Sequence, residues 1–235
     1  LITIDAITGD DYLNTSEVGQ ALQLSGTTTN VTDGQMVEIT FNGQTFYAEV
    51  NGGVWSYLVP DTAVGSIADG PQQVSVSVND IYGNVGDDTR DFTVIARGDD
   101  LPSITINPVT SDDMVNYNES RDPNGVIITG SSQHIPEGDT ITVRVNGKDY
   151  PATVDSDGNW TATIPQTDAQ NLPQNSNAIT ASGNDVAGNT ATANESFTVH
   201  TQPPLLEIDA NLVTDGVLSP VSYTHLRAHE TRSNV

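Results

Sequence analysis

The feature that most constrains this chain is that it says the same thing twice. Ile2-Thr3-Ile4 returns as Ile104-Thr105-Ile106, and Asp10-Asp11 with Asn14 and Glu17 returns as Asp112-Asp113 with Asn116 and Glu119. Asn42-Gly43 returns as Asn146-Gly147, and Trp55 with Pro60 returns as Trp160 with Pro165. Asn79-Asp80 with Gly83-Asn84 returns as Asn184-Asp185 with Gly188-Asn189, and Phe92-Thr93-Val94 as Phe197-Thr198-Val199. Marks that recur in order at a nearly constant interval mean two copies of one structural unit. A third copy begins at Leu205-Leu206-Glu207-Ile208-Asp209. The expected division is a first repeat at 1–98, an acidic linker at 99–103 and a second repeat at 104–200. A linker at 201–204 and the start of a third repeat at 205–220 follow, then a tail at 221–235 that resembles neither repeat and reads as non-native.

Each copy reads as strands. Met36 to Phe41 alternates apolar and polar residues, Asn42-Gly43 supplies a tight hairpin turn, and Gln44 to Val50 returns. Thr140 to Val145, Asn146-Gly147 and Lys148 to Val154 do the same, and no stretch shows helical periodicity. Several short strands per repeat, punctuated by Gly, Asn, Asp and Pro, predict an all-β chain of tandem immunoglobulin-like β-sandwiches in an extended rod. Trp55 and Trp160, at matching strand positions, are expected in the two cores.

Charge narrows the function. Thirty-one acidic residues stand against seven Lys and Arg, for a net charge of −24. That balance excludes nucleic acid and an anionic membrane surface as partners, and suits divalent cations. There is no cysteine, so no disulfide supports either core and no thiol nucleophile exists. No Gly-x-Ser-x-Gly elbow or phosphate-binding loop occurs, and the chain is not expected to be an enzyme. Asp155 to Asn159 has the wrong glycine position for a calcium hand and reads as a hairpin turn. His225 and His229 have helical ligand spacing but lie in the non-native tail. The chain opens inside an alternating stretch, Leu1 to Ile4, and is expected to be a piece of a longer secreted protein.

The ordered set Ile2-Thr3-Ile4-Asp5, Asp10-Asp11, Asn14 and Glu17, Ser25-Gly26-Thr27-Thr28, Asn42-Gly43, Ala68-Asp69-Gly70 and the Asp-x-x-Gly-Asn loop resembles a known family. It is similar to the bacterial Ig-like repeats of giant secreted adhesins of the biofilm-associated and RTX types, over about residues 1–215. The resemblance implies calcium (Ca2+) between successive domains, limiting their bending. For the first junction it implies Asp80, Asp99 and Asp100 together with Asp112, Asp113, Asn116 and Glu119 of the next repeat. For the second it implies Asp185, Asp209 and Asp215, while Asp10, Asp11 and Glu17 would face a preceding domain. The implied role is that of a stiff extracellular spacer at a bacterial cell surface, monomeric, whose partners are its adjacent repeats. The alternative is a glycan- or host-protein-binding module that uses sandwich-end loops, Thr110 to Gly125 above all.

Overall fold

The computed structural model describes residues 1–202. Within the compact unit Leu1–Thr201 the buried apolar side chains fall into two cores, one from Ile2 to Ala96 and one from Ile104 to Val199. Strict alternation decides which side chains enter them, because successive residues of a strand point to opposite faces. In β3 (Met36–Phe41) the buried positions are Val37, Ile39 and Phe41; in β11 (Thr140–Val145) they are Ile141, Val143 and Val145.

The first repeat carries β1 (Tyr12–Asn14), β2 (Leu22–Thr27), β3, β4 (Gln44–Glu49), β5 (Val54–Val59), β6 (Gly70–Asn79) and β7 (Val85–Ile95). One sheet runs in the order β1-β7-β6-β3-β4 and faces a smaller sheet of β2 and β5. The second repeat carries β8 (Ser103–Ile106), β9 (Met114–Asn116), β10 (Val126–Gln133), β11, β12 (Lys148–Thr153), β13 (Asn159–Ile164), β14 (Asn175–Asn184) and β15 (Thr190–His200). Its larger sheet, β12-β11-β14-β15-β9, has the same order, opposite a sheet of β13-β10-β8. The two Asn-Gly hairpins form as expected, pairing β3 with β4 and β11 with β12. Asp155 accepts the amides of Asp157 and Asn159 in a turn before β13. Two short helices, Asp61–Gly65 and Gln166–Ala169, are additions that periodicity cannot reveal at such lengths.

Trp55 and Trp160 are buried in their respective cores. Each lies against a glycine on the neighbouring strand of its own sheet with no room for a methyl group: a Cβ on Gly26 would stand 2.7 Å from the Trp55 Nε1, and one on Gly130 2.2 Å from the Trp160 ring. The two differ in one respect. The Trp55 indole donates to the Thr3 carbonyl at 3.1 Å, whereas the Trp160 Nε1 is buried without a partner among the described residues.

One pairing fixes the orientation of everything that follows. β1 runs parallel to β7, with Asn14 beside Ile95, and β9 runs parallel to β15, with Asn116 beside His200. Both parallel strands therefore end where their repeat ends, at its far pole. The β6–β7 and β14–β15 loops turn back at the opposite, near pole.

Candidate functional site: the joint between the repeats

The loop Asp185 to Asn189 is shaped by its first side chain. Asp185 accepts the amides of Ala187 at 2.9 Å and Asn189 at 2.8 Å, and its second oxygen accepts the Asn189 side-chain amide at 2.8 Å. Gly188 takes φ +81°, the left-handed region that a side chain would resist. A carboxylate folded over backbone donors in this way is a local turn device.

This loop is also seated on the far pole of the first repeat. The Asn189 Oδ1 accepts the amide of Thr15 at 2.8 Å, and its Nδ2 donates to the Ile95 carbonyl at 2.8 Å. Asn14 donates from its side chain to the Ala187 carbonyl at 3.0 Å. The orientation of the Asn189 amide follows from its partners, a donor on one side and two acceptors on the other. Contact buries the loop: Asp185, Ala187 and Asn189 are 6%, 1% and 8% exposed. Ala187 belongs to neither hydrophobic core, so what covers it is the joint.

The far pole of the first repeat is a reciprocal turn. The Asn14 amide donates to Glu17 Oε2 at 2.9 Å, and Asn14 Oδ1 accepts the amides of Ser16 and Glu17. The same turn closes the second repeat, where Asn116 and Glu119 repeat those bonds. Between the repeats, Arg97 is drawn away from the linker acids. Its guanidinium pairs with Asp69 at 3.0 Å and donates to the carbonyls of Ile67 and Gly65. Asp99 and Asp100 follow in an exposed turn, with no ion-pair partner among the described residues.

The sequence-expected ligands are therefore redistributed. The structure brings Asn14, Glu17 and the Asp185 loop together at the first joint, beside the linker that carries Asp99 and Asp100. Asp80 is not there: its loop lies at the near pole of the first repeat, where its pKa is held below the ordinary carboxylate value by Asn84 hydrogen bonds. Asn116 and Glu119 lie at the far pole of the second repeat and Glu17 at the far pole of the first, while Asp10 and Asp11 bind groups of their own repeat. The physical reason is the parallel pairing of β1 and β9, which carries each Asn-Glu turn to the end of its repeat.

The aspartate pairs lie before those poles and serve their own turns. Asp11 accepts the Ile7 amide and Asp10 the Tyr12 amide; Asp113 and Asp112 do the same for Val109 and Met114. Asp11 also holds Arg90 through two oxygens, at 2.6 and 2.5 Å, which keeps its carboxyl below the usual carboxylate range. Asp209 and Asp215 lie outside the described residues, as do the expected third repeat and tail.

Among the described residues no three His, Asp or Glu side chains converge as a metal site. The donor set at the joint nevertheless fits a hard cation in its chemistry: Asp185 is a buried carboxylate with neutral N–H partners and no Lys or Arg ion pair, and Glu17 has one oxygen without a hydrogen bond among those residues. Sequence reasoning missed Thr15, Ala187 and Asn189 as joint residues. The Gly188-Asn189 mark was visible, but not the pole on which it lies.

The sequence profile described as bacterial Ig-like domain matches residues 128–201. Among solved structures the chain is similar to a Ca2+-stabilized adhesin that helps an Antarctic bacterium reach out and bind ice. They are 32% identical over 86% of this chain and 49% of that one, with a TM-score of 0.53. It is similar to a 1.5-MDa bacterial ice-binding adhesin, studied for host cell surface retention, at 31% identity over 86% of this chain and 64% of that one, TM-score 0.52. A bacterial immunoglobulin-like domain from the M. primoryensis ice-binding adhesin is 32% identical over 43% of this chain and 96% of its own length, TM-score 0.33. The chain thus spans about half of the first of these and under two thirds of the second. No curated protein matches it. No helix among the described residues is long and apolar enough to cross a membrane.

Proposed function

Because this chain belongs to the bacterial Ig-like repeats of large adhesins, we propose that it is a non-catalytic spacer: a run of sandwiches, joined end to end, that holds a distal adhesive domain away from a bacterial surface during attachment and biofilm formation. The observation that carries this reading is the joint itself. A spacer transmits position only if its units cannot swing freely, and Asn189 spans the gap with hydrogen bonds to both Thr15 and Ile95. Directional bonds to backbone at two places, the turn after β1 and the end of β7, resist both rotation and hinging.

Calcium belongs to the same reading. Glu17, Asp99, Asp100, Asn14 and Asp185 would hold it, drawing on both repeats and on the linker. The ion would supply charge neutralisation among acids that otherwise repel, and cross-bridging between oxygens of the two repeats. These residues' own part is to present oxygen donors from the two backbones that meet at the joint, whose hydrogen bonds the ion would reinforce. Arg97, occupied by Asp69, does not compete for them.

Small-angle X-ray scattering in millimolar calcium and in excess chelator tests the proposal. A longer, narrower distance distribution with calcium, lost on chelation, is the expected result. Compact, flexible profiles under both conditions would contradict the spacer reading. Extended profiles under both would leave the spacer and remove the metal.

A further inference from the structure

The two near-pole loops are the same turn with different tips. Asp80-Ile81-Tyr82-Gly83-Asn84 and Asp185-Val186-Ala187-Gly188-Asn189 share the aspartate, the left-handed glycine and the asparagine. At the middle position the first repeat has tyrosine, 84% exposed, and the second has alanine, 1% exposed and buried by the joint alone. The flanking position behaves alike in both, with Ile81 58% and Val186 52% exposed. The joint therefore bears on one side chain of the loop and leaves its neighbour in solvent.

We infer that Ala187 is the specificity-determining residue of this joint: the far pole of the first repeat accepts a loop with a small residue there and excludes one with tyrosine, so the order of the repeats is written into the tips of their loops. The inference rests on the end-to-end joint proposed above. Close packing leaves no space for added volume without displacement. The Ala187 carbonyl is held by Asn14 and Asn189 by Thr15 and Ile95, so the loop cannot retreat to admit a larger tip without breaking those bonds. Phenol-sized volume at Ala187 would lift the loop off the pole. The first repeat's own loop, with Tyr82, is accordingly unsuited to a pole of this shape.

The turn itself tolerates tyrosine, as Tyr82 shows, so Ala187→Tyr tests the joint and not the folding of the loop. The chain has no cysteine, and Gln44→Cys with Asp157→Cys, one exposed position in each repeat, places a spin-label pair across the joint without competing thiols. Electron–electron distance measurements on the whole chain in calcium are then compared for four backgrounds. The expected result is one narrow distance in the parent and in Ala187→Ser, and its loss to a broad distribution in Ala187→Tyr and in Asn189→Ala. A narrow distance in Ala187→Tyr alongside a broad one in Asn189→Ala overturns the size rule and leaves the joint standing. Broadening in Ala187→Ser also overturns it, since serine adds almost no volume. Narrow distances in both Ala187→Tyr and Asn189→Ala overturn the joint and the inference together.

Discussion

The loops 80–84 and 185–189 are one sequence motif in two environments. Both fold by the same three hydrogen bonds from amide groups to an aspartate. Among the described residues only the second has a partner, and there the asparagine turns from a turn-closing residue into a bridge between repeats. The difference teaches that the motif is built first as a stable turn and functions second, when a neighbouring pole supplies a donor and an acceptor. A turn pre-formed in this way loses little further conformational entropy on docking.

Substituting the asparagine in each copy separates the two roles. Asn189→Ala is expected to destabilise the chain by about 2 kcal/mol more than Asn84→Ala, because Thr15 N–H and Ile95 C=O lose buried partners while Asn84 contributes only to its turn. Chemical denaturation of the two variants checks this, and equal losses would break the comparison.

The two cores give a second contrast. Trp55→Phe is expected to cost more than Trp160→Phe, by about 1–2 kcal/mol, since the first leaves the Thr3 carbonyl short of its donor and the second removes a buried donor that has no partner among the described residues. Each variant retains one tryptophan, so fluorescence-detected unfolding follows the unaltered repeat while differential scanning calorimetry reports the altered one.

Acid should then distinguish the repeats. Asp11 is held below its ordinary pKa chiefly by the Arg90 hydrogen bonds, whereas Glu195 occupies the matching strand position in the second repeat. A depressed carboxyl adds stability that is complete above its unfolded pKa, about 4, and that is lost as pH falls through the folded value. Arg90→Ala should remove this acid-sensitive increment, about 1 kcal/mol or less for a pair this accessible. An unchanged pH–stability profile in that variant would contradict the assignment.

Alkali should produce the smallest effect and in the second repeat alone. Tyr150 replaces Phe46 at the matching register, and burial, aided by Asp168, pushes its phenol up to about 12. A raised phenol pKa gives stability that is full below about 10 and is lost as pH rises toward the folded value. Ultraviolet difference titration should show one tyrosine ionising late, and Tyr150→Phe should abolish that step.

The sequence made the sandwiches legible because their information is local: alternation at Met36–Phe41 and Thr140–Val145, and hairpin chemistry at Asn42-Gly43 and Asn146-Gly147. It also made the joint's chemistry partly legible, since Glu17, Asp99, Asp100 and Asp185 are all acids at repeat boundaries. Which boundary each one faces was not legible. A three-residue strand such as Tyr12–Asn14 has no period from which to read its direction, and its parallel pairing with Thr93–Ile95 is a long-range fact. Expecting Glu17 to point backward follows naturally from its position near the start of the repeat; the pairing carries it to the far pole, while Asp10 and Asp11 stay in turns of their own repeat. Ala187 was illegible for a different reason. Nothing in an alanine advertises an interface until its burial is set beside the exposure of its twin, Tyr82.

The central claim is that the far pole of the first repeat is closed by the Asn189 side chain, and the amide of Thr15 reports on it directly. That amide lies in a surface turn, and the bond that shields it crosses to the other repeat. Hydrogen exchange of the Thr15 amide, resolved by NMR in the parent chain and in Asn189→Ala, is the measurement. The account predicts slow exchange in the parent and exchange near the unprotected rate in the variant. Fast exchange in the parent, or protection that survives the loss of Asn189, would mean that the two repeats are not joined in this way.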